Sequence, residues 1–135
     1  MSVKGLRQAI AQNINTITGL HTAFRVPETI ASPPLAVVMP PSIEYDKSFG
    51  RGLDQYEMKV IVFVGRFDSK SAEDLLDGYA NGIGSTSIKR AIESTPMLTS
   101  NAFDLRVTSM REVGPVVVGD LTYLAATFIV VAMAI

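Results

Sequence analysis

The chain has no cysteine, no tryptophan, a single histidine and no marked excess of either charge, and each shortage removes a class of function. Without Cys there are no disulfides, no thiol nucleophiles and no Cys-based zinc sites. His21 alone supplies no metal cluster and leaves no spare base for a Ser-His-Asp arrangement. It follows Gly19, where the first helix is expected to end, and reads as a surface-turn residue. The 12 basic and 13 acidic residues argue against a domain built to grip nucleic-acid phosphates, because such domains are usually strongly basic. The opening MSVKGLRQAIAQNINTI has no continuous apolar stretch, so no secretory signal is expected and the chain should fold in a cytoplasm.

What is present begins with an uncharged run, Leu121–Ile135 (LTYLAATFIVVAMAI). It is too short for a helix spanning about 30 Å of hydrocarbon, which takes roughly 20 apolar residues. Extending it back to Val116 includes Gly119 and Asp120, and a carboxylate within the bilayer is costly. Thr122, Tyr123, Thr127, Phe128, Ile129, Val130 and Val131 favour a strand. A core strand is therefore expected, with a tail-anchored membrane protein as the rival reading.

A length of 135 residues suits one domain, residues 1–135, with a core that needs no staples. Val3, Leu6, Ile10, Ile14 and Ile17 recur at helical spacing. A short strand can follow at Thr22–Val26, and Pro27–Pro34 reads as a connector. Leu35–Met39 and Gln55–Arg66 read as strands, the second with Tyr56, Met58, Val60, Val62 and Val64 on one face. Asp68 or Ser69 can cap a second helix striped by Ala72, Leu75, Leu76, Tyr79 and Ile83. Ser85 or Ser87 starts a short third helix, Ile88–Ser94. Phe103, Leu105 and Val107 alternate with polar residues as a half-buried strand, and Gly114-Pro115 and Gly119-Asp120 punctuate the way to the last one. The expected fold is α+β: a single domain with a mostly antiparallel sheet, helices packed on one face, and the order α-(β)-β-β-α-α-β-β.

Little in this pattern carries chemistry. Glu73, Asp74 and Asp77 share the polar face of the second helix; carboxylates one turn apart can hold Mg²⁺, though a wet helix face is the commoner reason for them. Gly78, Gly82 and Gly84 before Ser85-Thr86-Ser87 lack the spacing of a phosphate-binding loop and read as a helix end and interhelix turn. No cofactor is expected, and no catalytic or metal-binding residue stands out. The segment Ser42–Asp54 (SIEYDKSFGRGLD) is too rich in reactive and aromatic side chains for a minimal turn and is expected to protrude as a loop. Two readings stand for Tyr45, Phe49 and Leu53, beside Glu44, Asp46, Lys47 and Arg51. The aromatics fold back onto the domain's own sheet, or they anchor a partner.

Taken together, Pro34–Val38, Tyr45–Asp54 (YDKSFGRGLD), Val62–Arg66, Ser71–Tyr79, Gly84–Glu93, Asp104–Thr108 and Tyr123–Phe128 resemble the tail terminator proteins of long-tailed phages of actinobacterial hosts. The YDKSFGRGLD stretch is the most specific part, and the likeness covers nearly the whole chain. The resemblance implies a structural virion protein with no enzymatic activity, assembled in the host cytoplasm into a homohexameric ring. That ring would cap the head-proximal end of the tail tube, end tube polymerisation and offer a joining surface to a head-completion or neck protein. DNA would pass through its lumen without specific binding, which near-neutral charge suits. Tyr45, Asp46, Lys47, Phe49, Arg51 and Leu53 are the expected partner contacts. The rival within the same class is another neck subunit, a head-closure or connector protein; a metal-dependent enzyme using Asp74 and Asp77 is the rival outside it. In a ring, the uncharged end of the chain is expected to be covered by a neighbour, with Ala125, Ala126, Ala132 and Ala134 packed closely beneath the helices.

Overall fold

The computed structural model describes residues 3–30, 33–46, 54–93 and 104–134. In chain order these form α1 (Val3–Ile14), β1 (His21–Ala23), β2 (Leu35–Val38), β3 (Ser42–Glu44), β4 (Asp54–Arg66), α2 (Lys70–Ala80), α3 (Ile88–Glu93), β5 (Asp104–Val118) and β6 (Leu121–Ala134). The fold is α+β in the expected order. One short strand is added: Ser42–Glu44, read from sequence as the start of the loop, pairs antiparallel with β4.

All six strands share one sheet, ordered β1-β2-β4-β6-β5, with β3 also on β4. Only β1 and β2 run parallel. The uncharged run is β6, hydrogen-bonded to β4 from Asp54↔Ala134 to Arg66↔Tyr123 and to β5 from Asp104↔Met133 to Val118↔Leu121. A strand flanked on both edges and covered on much of both faces has little solvent for a charge, which accounts for its composition.

Period two splits β6 between two cores. Leu124, Ala126, Phe128, Val130 and Ala132 face the helices, together with Met58, Val60 and Val62 of β4. Onto them α1 packs Leu6, Ile10 and Ile14, α2 packs Ala72, Leu76 and Tyr79, and α3 packs Ile88, Ala91 and Ile92. Each fully buried Leu, Ile, Val, Met or Phe among them contributes about 1.5–3 kcal/mol by leaving water. On the opposite face Tyr123 and Ala125 join Phe63, Leu35, Val37 and Val118 beneath Ile30 of the connector. The Tyr123 hydroxyl donates to the Ile30 carbonyl at 3.3 Å, and its ring meets Phe63 edge-on with centroids 6.5 Å apart. The alanines therefore do not share one side: Ala126 and Ala132 lie under the helices and Ala125 on the other face.

Several expected boundaries shift for local reasons. The first helix stops at Ile14, while Ile17 and Leu20 stay buried in the turns that follow, and Gly19 takes the left-handed φ of 84°. The first strand closes at Ala23, leaving Phe24 and Val26 exposed. α2 ends at Ala80, before Ile83 (82 % exposed), and turns Leu75 (42 % exposed) toward solvent, so both fall outside the expected stripe. β5 continues through Gly114-Pro115, which were read as an interruption. It lies at the sheet edge, where half of the backbone N–H groups have no neighbouring strand and Pro is best tolerated, and register shifts at Val107/Ser109 and Arg111/Gly114 absorb the irregularity.

Candidate assembly surfaces

The two ends of the segment between β3 and β4 are tied together. Its last pair is Glu44↔Gln55, after which Asp46 adopts a left-handed φ of 56° and its amide donates to Asp54 Oδ1 at 3.0 Å. An Asp tolerates that conformation better than most side chains. Tyr45 stands 69 % exposed instead of folding back onto the sheet. Beneath it Tyr56 is buried, and burial first, then the charge of Asp54 and the neighbouring Tyr45, push its hydroxyl pKa upward. Of the six residues expected to meet a partner, Tyr45 and Asp46 are thus placed just after β3; Lys47, Phe49, Arg51 and Leu53 lie outside the described residues.

The other chemically suggestive residues do not converge. His21 is exposed at the start of β1, and Glu73, Asp74 and Asp77 are exposed on α2. Among the described residues no three His, Asp or Glu side chains gather in a way that could hold a metal ion. The glycine-serine stretch from the last turn of α2 to α3 packs and caps those two helices. A Cβ on Gly78 would sit 3.0 Å from Thr86 Oγ1. Buried Ser87 caps α3 by accepting from the Arg90 amide at 3.1 Å, while its own hydroxyl donates to Asn81 O. Ser69 holds the N-cap position of α2 without a side-chain capping bond.

Two surfaces at the edges of the sheet are not evident in the sequence. On the β5 edge Met110, Val113, Val116 and Val117 are exposed, Val117 by 68 %. At the β1 edge, a groove of about 390 Å³ is lined by Val3, Lys4, Arg7, Gln8 and Phe24. Arg7 builds its floor: Nη2 donates to Phe24 O at 2.8 Å and to Val38 O at 2.9 Å, and the guanidinium lies 5.4 Å from the Phe24 ring centroid. One signal for this groove was legible. Lys4 and Arg7 are the only charged residues of α1, and Lys4 falls in the first turn, where a helix dipole favours anions.

Fold and surface together define an α+β domain whose distinctive features are exposed apolar groups at both sheet edges and the exposed Tyr45 after β3. No helix among the described residues is long and apolar enough to cross a membrane; Leu121–Ala134 is a strand. Compared with protein-family models and with curated proteins, the chain finds no match in either.

Proposed function

We propose that this chain is a tail terminator subunit, a structural virion protein that forms a ring at the head-proximal end of a phage tail tube. The ring stops tube polymerisation and presents the surface to which the head joins; the chain acts by contact and not by catalysis. The observation that carries the reading is the Tyr45–Asp54 stretch, the most specific part of the resemblance. It coincides with the excursion between β3 and β4, where Tyr45 is the most exposed aromatic of the described residues. An anchored mouth with an exposed aromatic is suited to meeting another protein, since Tyr gives large contact area for few rotatable bonds. Exposed apolar groups at both sheet edges are a further feature that association would cover.

Changing Tyr45, Phe49 and Arg51 together to Ala should leave the monomer folded and impair ring assembly. Six-fold rings and tails of normal length from that variant would remove the excursion from the reading. Deleting the gene from a phage genome tests the function itself. Abnormally long tails unable to join heads are expected, whereas normal tails with leaking heads would make the chain a head-closure subunit instead.

A further inference from the structure

Asn81 follows the last residue of α2 and is joined to Gly82, the only Asn-Gly pair in the sequence. Residues 81–86 are all exposed, between the end of α2 and buried Ser87. Among the described residues neither the Asn81 side chain nor the Gly82 amide makes a hydrogen bond. A Cβ on Gly82 would meet no atom within 4 Å, so the space beside it is open. The two other described asparagines are held differently. Asn13 lies within α1, donates from Nδ2 to Ile92 O at 3.1 Å and precedes buried Ile14; Asn15 accepts from the Thr22 hydroxyl and precedes Thr16. The side-chain carbonyl carbon of an asparagine is electrophilic, and the next backbone nitrogen is the nearest nucleophile. A bulky following side chain hinders their meeting, and a hydrogen bond on either group restrains it. Asn81 has φ −60° and ψ 145°, and rotation about its Cα–C bond carries the Gly82 nitrogen toward Cγ. Glycine opposes that rotation least. The restraint present is the Ser87 hydroxyl, which donates to the Asn81 carbonyl oxygen that the rotation would swing away.

We infer that Asn81-Gly82 is a site of spontaneous succinimide formation, through which position 81 becomes aspartate or isoaspartate and the α2–α3 turn loosens. The Gly82 nitrogen bonds to Asn81 Cγ, the Cγ–Nδ2 bond breaks, and ammonia leaves with the proton that Gly82 gives up. Water then opens the cyclic imide. Hydrolysis at Cγ leaves aspartate; hydrolysis at the main-chain carbonyl leaves isoaspartate, in which the chain runs through Cγ and is one carbon longer. Either product places a new carboxylate at the C-terminus of α2, where the helix dipole already disfavours Asp77 and no basic residue compensates. In isoaspartate the carbonyl held by Ser87 has left the main chain. The bond from the N-cap of α3 to the end of α2 then no longer fixes the path between the helices.

The test is timed incubation of the full chain in mildly alkaline buffer, followed by tryptic peptide mapping. The peptide Ser71–Lys89 should gain the mass difference between a hydroxyl and an amino group and become a substrate for an isoaspartyl methyltransferase. The peptide Gln8–Arg25, which holds Asn13 and Asn15, should stay unchanged over the same period. Gly82→Ala has room and needs no left-handed backbone. It should fold like the parent, as circular dichroism will check, and react roughly tenfold more slowly, equivalent to about 1.4 kcal/mol of barrier. Ser87→Ala should react faster than the parent. The converted chain, separated by ion exchange, should melt at a lower temperature than the unconverted chain and exchange its Arg90 amide faster. If Ser71–Lys89 stays intact while the same peptide free in solution converts, or if Gly82→Ala reacts as fast as the parent, the site is wrong. Equal melting and equal Arg90 exchange in the two forms would overturn the loosening of the turn.

Discussion

Replacing Glu93 tests how the edge strand β5 is held to the body of the domain. Glu93 closes α3, and its Oε2 accepts a hydrogen bond from the Val107 amide at 2.8 Å while pairing with Lys89 one turn back. Val107 sits where the β5–β6 register slips, between Val107 and Ser109, so the carboxylate takes up an amide on the open side of an edge strand. A hydrogen bond to a charged acceptor contributes about 1.5–3 kcal/mol, and an unsatisfied, largely buried amide costs a similar amount when its partner is removed. The Lys89 pair is a helix-surface i,i+4 contact and adds only about 0.3–0.5 kcal/mol. Since the Glu93 side chain is 27 % exposed, water can recover part of the loss, and Glu93→Ala should cost about 2 kcal/mol. For a chain of this length that lowers Tm by roughly 7 °C. Glu93→Gln keeps an acceptor for Val107 and should cost less than half as much. Thermal and urea unfolding of both variants beside Lys89→Ala decide the matter. If Glu93→Ala is no worse than Lys89→Ala, the carboxylate is not what holds the strand.

Two further outcomes bear on the helix face. Gly65→Ala adds a Cβ 3.1 Å from that of Ala72, which must lift α2 from β4; a loss of about 1–3 kcal/mol in urea unfolding is expected. An unchanged midpoint would show that α2 can retreat freely. Tyr79 is buried under α2, and burial raises its hydroxyl pKa above the usual 10.0. For a group whose folded pKa is raised, the stabilisation is complete below the unfolded value and disappears as pH climbs through the folded one. The protein should therefore lose stability above about pH 10, and Tyr79→Phe should flatten that decline while leaving stability near pH 7 little changed. An identical alkaline profile in the variant would assign the loss to other groups.

The long elements were legible because one strong signal dominated each. Alternation from Tyr56 to Val64 marked β4, the lack of charge marked β6, and the spacing of Leu6, Ile10 and Ile14 marked α1. Boundaries failed where tertiary context outranked local preference. Gly114-Pro115 reads as a break, yet a sheet edge tolerates it. Leu75 and Ile83 fit the helical stripe on paper, yet α2 ends before the second and turns the first toward solvent. At the candidate surfaces, Tyr45 was singled out by composition alone. The groove beside α1 escaped notice because it joins Lys4 of α1 to Phe24 just past β1, which no local pattern links; only the unfavourable placement of Lys4 hinted at it.

The position of β6 also sets a sequence of events in time. It follows β4 and β5 in the chain but lies between them in the sheet, and Asp54 pairs with Ala134. During synthesis β4 and β5 can be joined only by a strand made after both, and closure over so long a separation is slow. Until it arrives, the inner edges of β4 and β5 stand open, the condition under which nascent chains associate wrongly. The strand that holds the finished sheet together is thus also the last of its strands to be made, and a chain halted before it is left with a four-stranded piece of sheet and an unpaired β5.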